Sequence, residues 1–288
     1  MPLHPEIAKA LATLPAPPAE LDPVAMRAFD EAHLPPVTVE IASVEDTRIA
    51  GVPVRIYTPD GATETLVYFH GGAFFLGSLA THDHVARALA AETGRRVVSV
   101  GYRLAPENPF PAGLEDCYAV VKETGAESPV AVAGDSSGGT YAAAVAGLAH
   151  DDGLQVISRQ VLFYPSLDLD FDVERYASLR ENAVGYGLET AGLKPFNAFY
   201  LDSGADPADP RVSPIKRADL TGLPPALIVT AEFDPLRDEA ELYGERLREA
   251  GVEVTVSRYE GAGHGFVQHF SWIPEYHRAF TETAEFLA

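Results

Sequence analysis

From Leu66 onward the chain alternates short apolar runs with stretches of helical period, and this rhythm leaves few folds open. The runs are Leu66-Val67-Tyr68-Phe69, Val97-Val98-Ser99-Val100, Val130-Ala131-Val132-Ala133, Gln160-Val161-Leu162-Phe163, Ala226-Leu227-Ile228-Val229 and Val252 to Ser257. Near-continuous apolarity over four to six residues is what a strand covered on both faces needs. Helical period and composition mark the stretches Val85 to Glu92, Thr140 to His150 and Asp238 to Ala250. Strands recurring with helices between them form a mostly parallel sheet, and right-handed crossovers put the helices on both faces. At 288 residues such a chain buries about three quarters of its unfolded surface. The expectation is therefore one α/β domain over residues 1–288. Its lone cysteine, Cys117, excludes an internal disulfide and falls on the apolar side of a short helical pattern.

Two regions depart from the rhythm. Residues 1–36 carry Pro15, Pro17, Pro18, Pro35 and Pro36, and proline removes backbone donors, so this segment reads as an arm laid over the body. Val37-Thr38-Val39-Glu40-Ile41 and Val52 to Tyr57 then alternate like two antiparallel strands around a polar turn. Between Pro165 and Pro225 no clear core strand occurs. A structureless loop of that length is improbable, so helix is expected near Arg175 to Asn182 and Ala191 to Tyr200. The interval leaves from the carboxyl end of a strand, where ligands bind in open α/β sheets. Regions 1–45 and 165–215 are accordingly expected to form a cap over that face.

Gly134-Asp135-Ser136-Ser137-Gly138-Gly139 sits between an apolar run and an Ala-rich helical stretch. In this setting Gly-x-Ser-x-Gly presents a serine from a sharp strand-to-helix turn, and the glycines two before and two after it let strand and helix approach. Ser136 has that offset; Ser137 does not. A plain glycine-rich turn is the alternative. A phosphate loop is disfavoured because its lysine is missing.

His70-Gly71-Gly72-Ala73 follows the first apolar run. Glycines there allow backbone N–H groups to turn inward, and the amides of Gly71, Gly72 and Ser137 are the expected donors to an oxyanion. His70 reads as a structural brace. The next residues, Phe74 and Phe75, are unusually apolar for a loop; at least one is expected to line a pocket for an uncharged group.

Asp234 lies just past the run ending at Thr230, where a triad acid belongs, although it could instead cap a helix that starts near Pro235. Glu232 is the competing acid. His264, between Gly263 and Gly265 after the last run, has the freedom to reach both Asp234 and Ser136. His82-Asp83-His84 invites a metal reading, but no further ligand cluster accompanies it, so polar residues opening a helix are expected there and no metal or cofactor. The order Ser136, Asp234, His264 matches that of serine hydrolases with a strand-borne elbow.

The combination resembles the hormone-sensitive lipase family of carboxylesterases. The likeness rests on residues 70–72, Tyr102 to Glu107, Gly134 to Ser136, Asp234 to Asp238 and His264 to Phe266, and it spans nearly the whole chain. It implies the α/β-hydrolase fold, an eight-stranded sheet, and hydrolysis of short to medium acyl esters through a serine acyl-enzyme. Ala73 stands where that family usually has a third glycine, and Ser137 where it usually has alanine; both exchanges keep the amide donor. Amidase, lactonase or acetylhydrolase chemistry uses the same intermediate, and a noncatalytic binding protein on this fold would lack a triad member.

Charge narrows the partners. With 21 basic and 42 acidic residues the net charge is −21, which repels nucleic acid. A small uncharged ester is the expected partner, with the chain monomeric or homodimeric. No apolar run reaches the roughly 18 residues of a membrane span, and the first thirty residues show no signal core, so the cytoplasm is the expected setting.

Overall fold

The computed structural model describes residues 2–13 and 21–288; Pro15, Pro17 and Pro18 of the arm lie outside them. Eight strands form one sheet: β1 (Ser43–Ile49), β2 (Val52–Thr58), β3 (Thr65–Phe69), β4 (Arg96–Val100), β5 (Val130–Asp135), β6 (Ile157–Phe163), β7 (Ala226–Phe233) and β8 (Val254–Gly263). Their order is β1-β2-β4-β3-β5-β6-β7-β8. β2 pairs antiparallel with both β1 and β4, and every pair from β4 to β8 is parallel. All the apolar runs from Leu66 onward therefore became strands.

The helices are α1 (Pro5–Leu11), α2 (Pro23–Ala32), α3 (Asp83–Thr93), α4 (Ala112–Thr124), α5 (Ser137–Asp151), α6 (Ser178–Glu181), α7 (Thr190–Leu201), α8 (Arg237–Glu249), α9 (Phe266–His269) and α10 (Pro274–Leu287). Strand alternation sorts the core into two layers. Val67, Phe69, Val132, Leu162 and Ile228 face the layer built with α4, α5 and α8. Leu66, Tyr68, Ala133, Phe163 and Val229 face the layer built with α3 and α10. Cys117 is buried in the first layer as a free thiol.

The first antiparallel strand is displaced from its expected position. Residues 37–41 form no strand, and β1 is instead the polar, largely exposed segment from Ser43. Register explains this: Ile49 pairs with Val52 across a two-residue turn at Ala50 (φ 51°) and Gly51 (φ 81°), and a tight hairpin turn of positive φ fixes the partner strand immediately before it. As an edge strand, β1 needs no buried face.

The interval after β6 is helical in part, as expected. It holds α7 and the four-residue α6, shorter than the 175–182 helix anticipated. Its first residues are pinned at the carboxyl end of the sheet, where Leu167 and Asp168 donate their amides to Glu239 of α8 at 2.7 and 3.3 Å. No described helix is long and apolar enough to cross a membrane.

Candidate active site

β5 runs directly into Ser136, whose φ of 53° and ψ of −119° lie outside the ordinary regions for an L-residue. The turn is tight because its neighbours are glycines. A Cβ on Gly134 would overlap the carbonyl of Gly138, and one on Gly138 would overlap that of Phe69. The strained serine is thus held where strand and helix pack backbone to backbone.

Three loops meet at its hydroxyl. His264 Nε2 is 3.0 Å from Ser136 Oγ, and His264 Nδ1 is 2.7 Å from Asp234 Oδ2. The other oxygen, Asp234 Oδ1, accepts the amide of Leu236 at 2.9 Å and so closes the turn ahead of α8; Asp234 is not that helix's cap, because the helix starts at Arg237 after Leu236 and has no side-chain cap. Asp234 is fully buried, whereas His264 is partly exposed. Glu232 points elsewhere: its carboxylate accepts the amide of Gly261 at 2.7 Å.

The loop after β3 turns through positive φ at Gly72 (125°), Ala73 (49°) and Phe74 (67°). Gly71 does not follow the expectation placed on it. Its amide donates to Asp135 Oδ1 at 2.9 Å, because β3 and β5 are neighbours with Phe69 opposite Gly134, which sets the loop against the elbow. Among the described residues, the amides of Gly72, Ala73 and Ser137 have no acceptor. Ser137 adds a contact of its own, its Oγ accepting the amide of Phe74 at 3.3 Å.

Comparisons with known proteins give the family. A family model described as the alpha/beta hydrolase fold matches residues 66–268. The chain belongs to that family. It is 41% identical over 256 residues to carboxylesterase NlhH of Mycobacterium tuberculosis, covering 84% of this chain and 79% of that one. It is 36% identical over 241 residues to the ethyl acetate hydrolase of Pseudomonas putida, covering 78% and 74%. Among solved structures, the hyperthermophilic esterase from the archaeon Pyrobaculum calidifontis superposes with a TM-score of 0.91 at 38% identity, covering 99% of this chain and 97% of that one. The protein is a carboxylic ester hydrolase of the α/β-hydrolase family.

Within this hydrolase, the two phenylalanines after the glycine loop are occupied by packing. Phe74 is fully buried and stacks on Tyr200 of α7 at 3.9 Å, while Phe75 packs against Phe196 and Phe199. Arg103 and Glu107 do not pair with each other. Arg103 binds Asp116 of α4 at 2.8 Å and Glu107 binds Arg27 of α2 at 2.9 Å, because each side chain meets a different helix.

A buried polar cluster beneath the elbow escaped sequence reasoning. Asp135, almost fully buried, accepts Tyr68 Oη at 2.6 Å as well as the Gly71 amide, with His82 Nε2 3.8 Å away. Burial pushes its carboxyl up, but His82 and the Tyr68 hydroxyl outweigh this and hold it below the ordinary value. His82 stands at the N-cap of α3, so residues 82–84 do open a helix as expected, and its ring is buried. His70 braces the loop: its ring stacks on Tyr102 at 4.2 Å, its backbone carbonyl accepts Tyr102 Oη at 2.7 Å, and burial pushes its imidazole down to about 3, so it stays neutral. The described residues contain no His, Cys, Asp or Glu group able to hold a metal ion. The signal for Asp135 lay in its place between Gly134 and Ser136. Nothing local identified its partners.

Proposed function

We propose that Ser136 is the nucleophile, His264 its general base and Asp234 the acid that orients the imidazole, acting on esters of small to medium uncharged acyl groups. One observation carries the reading: a single imidazole lies 3.0 Å from the serine oxygen and 2.7 Å from the carboxylate. A serine hydroxyl is a weak nucleophile by itself. With Nδ1–H held by Asp234, Nε2 is left with its lone pair toward Ser136 and takes the hydroxyl proton as Oγ attacks the ester carbonyl. The carboxylate then stabilises the imidazolium. Collapse of the tetrahedral intermediate returns that proton to the leaving alcohol, and water activated by the same nitrogen later releases the acid.

The developing oxyanion is met by the amides of Gly72, Ala73 and Ser137. Ala73 takes the place first given to Gly71, whose N–H is engaged by Asp135. Each such donor contributes on the order of 3 kcal/mol to the transition state. The arm and the 165–215 interval serve as the cap that limits the acyl chain. In support, α7 packs on the Phe74-Phe75 segment and Arg27 of α2 donates to the Phe75 carbonyl at 2.6 Å. The setting we infer is the cytoplasm, which suits a buried free thiol at Cys117.

The test is a series of p-nitrophenyl esters of increasing acyl length, run on the wild type and Ser136→Ala. Turnover should peak among the short to medium chains and drop at least about a thousandfold in the variant. Equal rates for both proteins would reject the reading.

A further inference from the structure

The triad acid stands on the loop that joins β7 to α8, and the interval between β6 and β7 grips this loop through buried hydrogen bonds. Ser178 and Asn182, at the two ends of α6, are linked by the Asn182 amide donating to the Ser178 carbonyl at 3.0 Å. Ser178 is fully buried and Asn182 is 4% exposed. Asn182 Nδ2 donates to the carbonyls of Asp234 at 3.0 Å and Glu232 at 3.2 Å. Ser178 Oγ donates to the Pro235 carbonyl at 2.7 Å and accepts the Asp238 amide at 3.2 Å, while the Ser178 amide donates to Asp238 Oδ2 at 2.8 Å. A few residues on, Tyr186 stacks on Phe233 at 4.7 Å.

These contacts hold the backbone of residues 232–238. The Asp234 carbonyl also accepts the Arg237 amide at 3.2 Å, within its own turn. Asn182 ties the Asp234 carbonyl itself to another part of the chain, as Ser178 ties that of Pro235. Fixing the carbonyl of residue 234 fixes the direction of its side chain, and so the 2.7 Å contact of Oδ2 with His264.

We infer that Asn182, supported by Ser178, is a positioning residue for Asp234, so that the segment over the active face sets the geometry of the acid and base as well as access to them. The inference rests on Asp234 being the triad acid. Displacing a reacting constellation by about 1 Å costs up to about a hundredfold in rate, so the effect belongs in kcat.

A double-mutant cycle tests it on the full chain with p-nitrophenyl butyrate. Asn182→Ala should lower kcat by about tenfold or more with KM within about twofold, and should cause no further loss in an Asp234→Asn background, because residues acting as one unit are not additive. Asn182→Asp keeps the size, loses the donors, and should show the same pattern if the alanine variant does not fold. Ser178→Ala should fall in the same direction. Wild-type kcat in the Asn182 variants, or an equal loss in both backgrounds, overturns the inference while leaving the triad intact. Full activity of Asp234→Asn alone overturns the triad reading and the inference together.

Discussion

Asp234 meets His264 through Oδ2 at 2.7 Å and the amide of Leu236 through Oδ1 at 2.9 Å, so one carboxylate contacts the imidazole and closes its own turn. Asp234→Asn keeps an oxygen for the turn but removes the charge and can put an N–H toward Nδ1, stabilising the wrong tautomer. The expected loss in kcat is about 10⁴-fold with the thermal midpoint little changed. Steady-state kinetics on p-nitrophenyl acetate check this; a loss below about tenfold contradicts an orienting role.

Asp135 ties the loop after β3 to the Ser136 turn through Gly71. Asp135→Ala leaves the Gly71 amide and the Tyr68 hydroxyl without their acceptor in a buried site, and each unmet donor costs about 1–3 kcal/mol. Asp135→Asn retains one acceptor oxygen. Urea unfolding should rank wild type above Asn above Ala, with kcat following the same order; equal midpoints for the two variants would refute the contact.

Gly138 has no room for a side chain. A methyl there meets the carbonyls of Phe69 and His70, both fixed by β3 and the loop after it, so neither gives way as a flexible side-chain end would. Gly138→Ala should cost at least about 2 kcal/mol and abolish labelling of Ser136 by a fluorophosphonate. Full labelling at wild-type stability would show that strand and helix can separate.

Glu239 links pH to stability. Burial pushes its carboxyl well above the ordinary 4.5, the amides of Leu167 and Asp168 failing to offset burial and the nearby Asp168 charge. The unfolded chain releases this proton at the ordinary value while the folded chain keeps it, so above pH 4.5 the folded state binds more protons and loses stability as pH rises. Glu239→Gln has no proton to lose. Its stability relative to wild type should rise with pH by up to about 1.4 kcal/mol per unit, read from urea midpoints between about pH 5 and pH 8. A pH-independent difference would show that the carboxyl is ionised in the fold.

Much of this protein was legible along the chain. The apolar runs from Leu66 onward, the glycines flanking Ser136 and the placement of Asp234 and His264 beyond strand ends are local properties, set by periodicity, by steric demand at a tight turn and by spacing. Such properties determined the parallel sheet, the sequence of its elements and which hydroxyl, imidazole and carboxylate converge. Tertiary structure decided which amides of the loop after β3 stay free, that His82 lies buried beside Asp135, that β1 starts at Ser43, and that Asn182 holds the loop of Asp234. Each of these depends on a partner far away in sequence: an N–H or an imidazole acquires its acceptor only when strand register and helix packing bring the two together, and no local pattern encodes that distance.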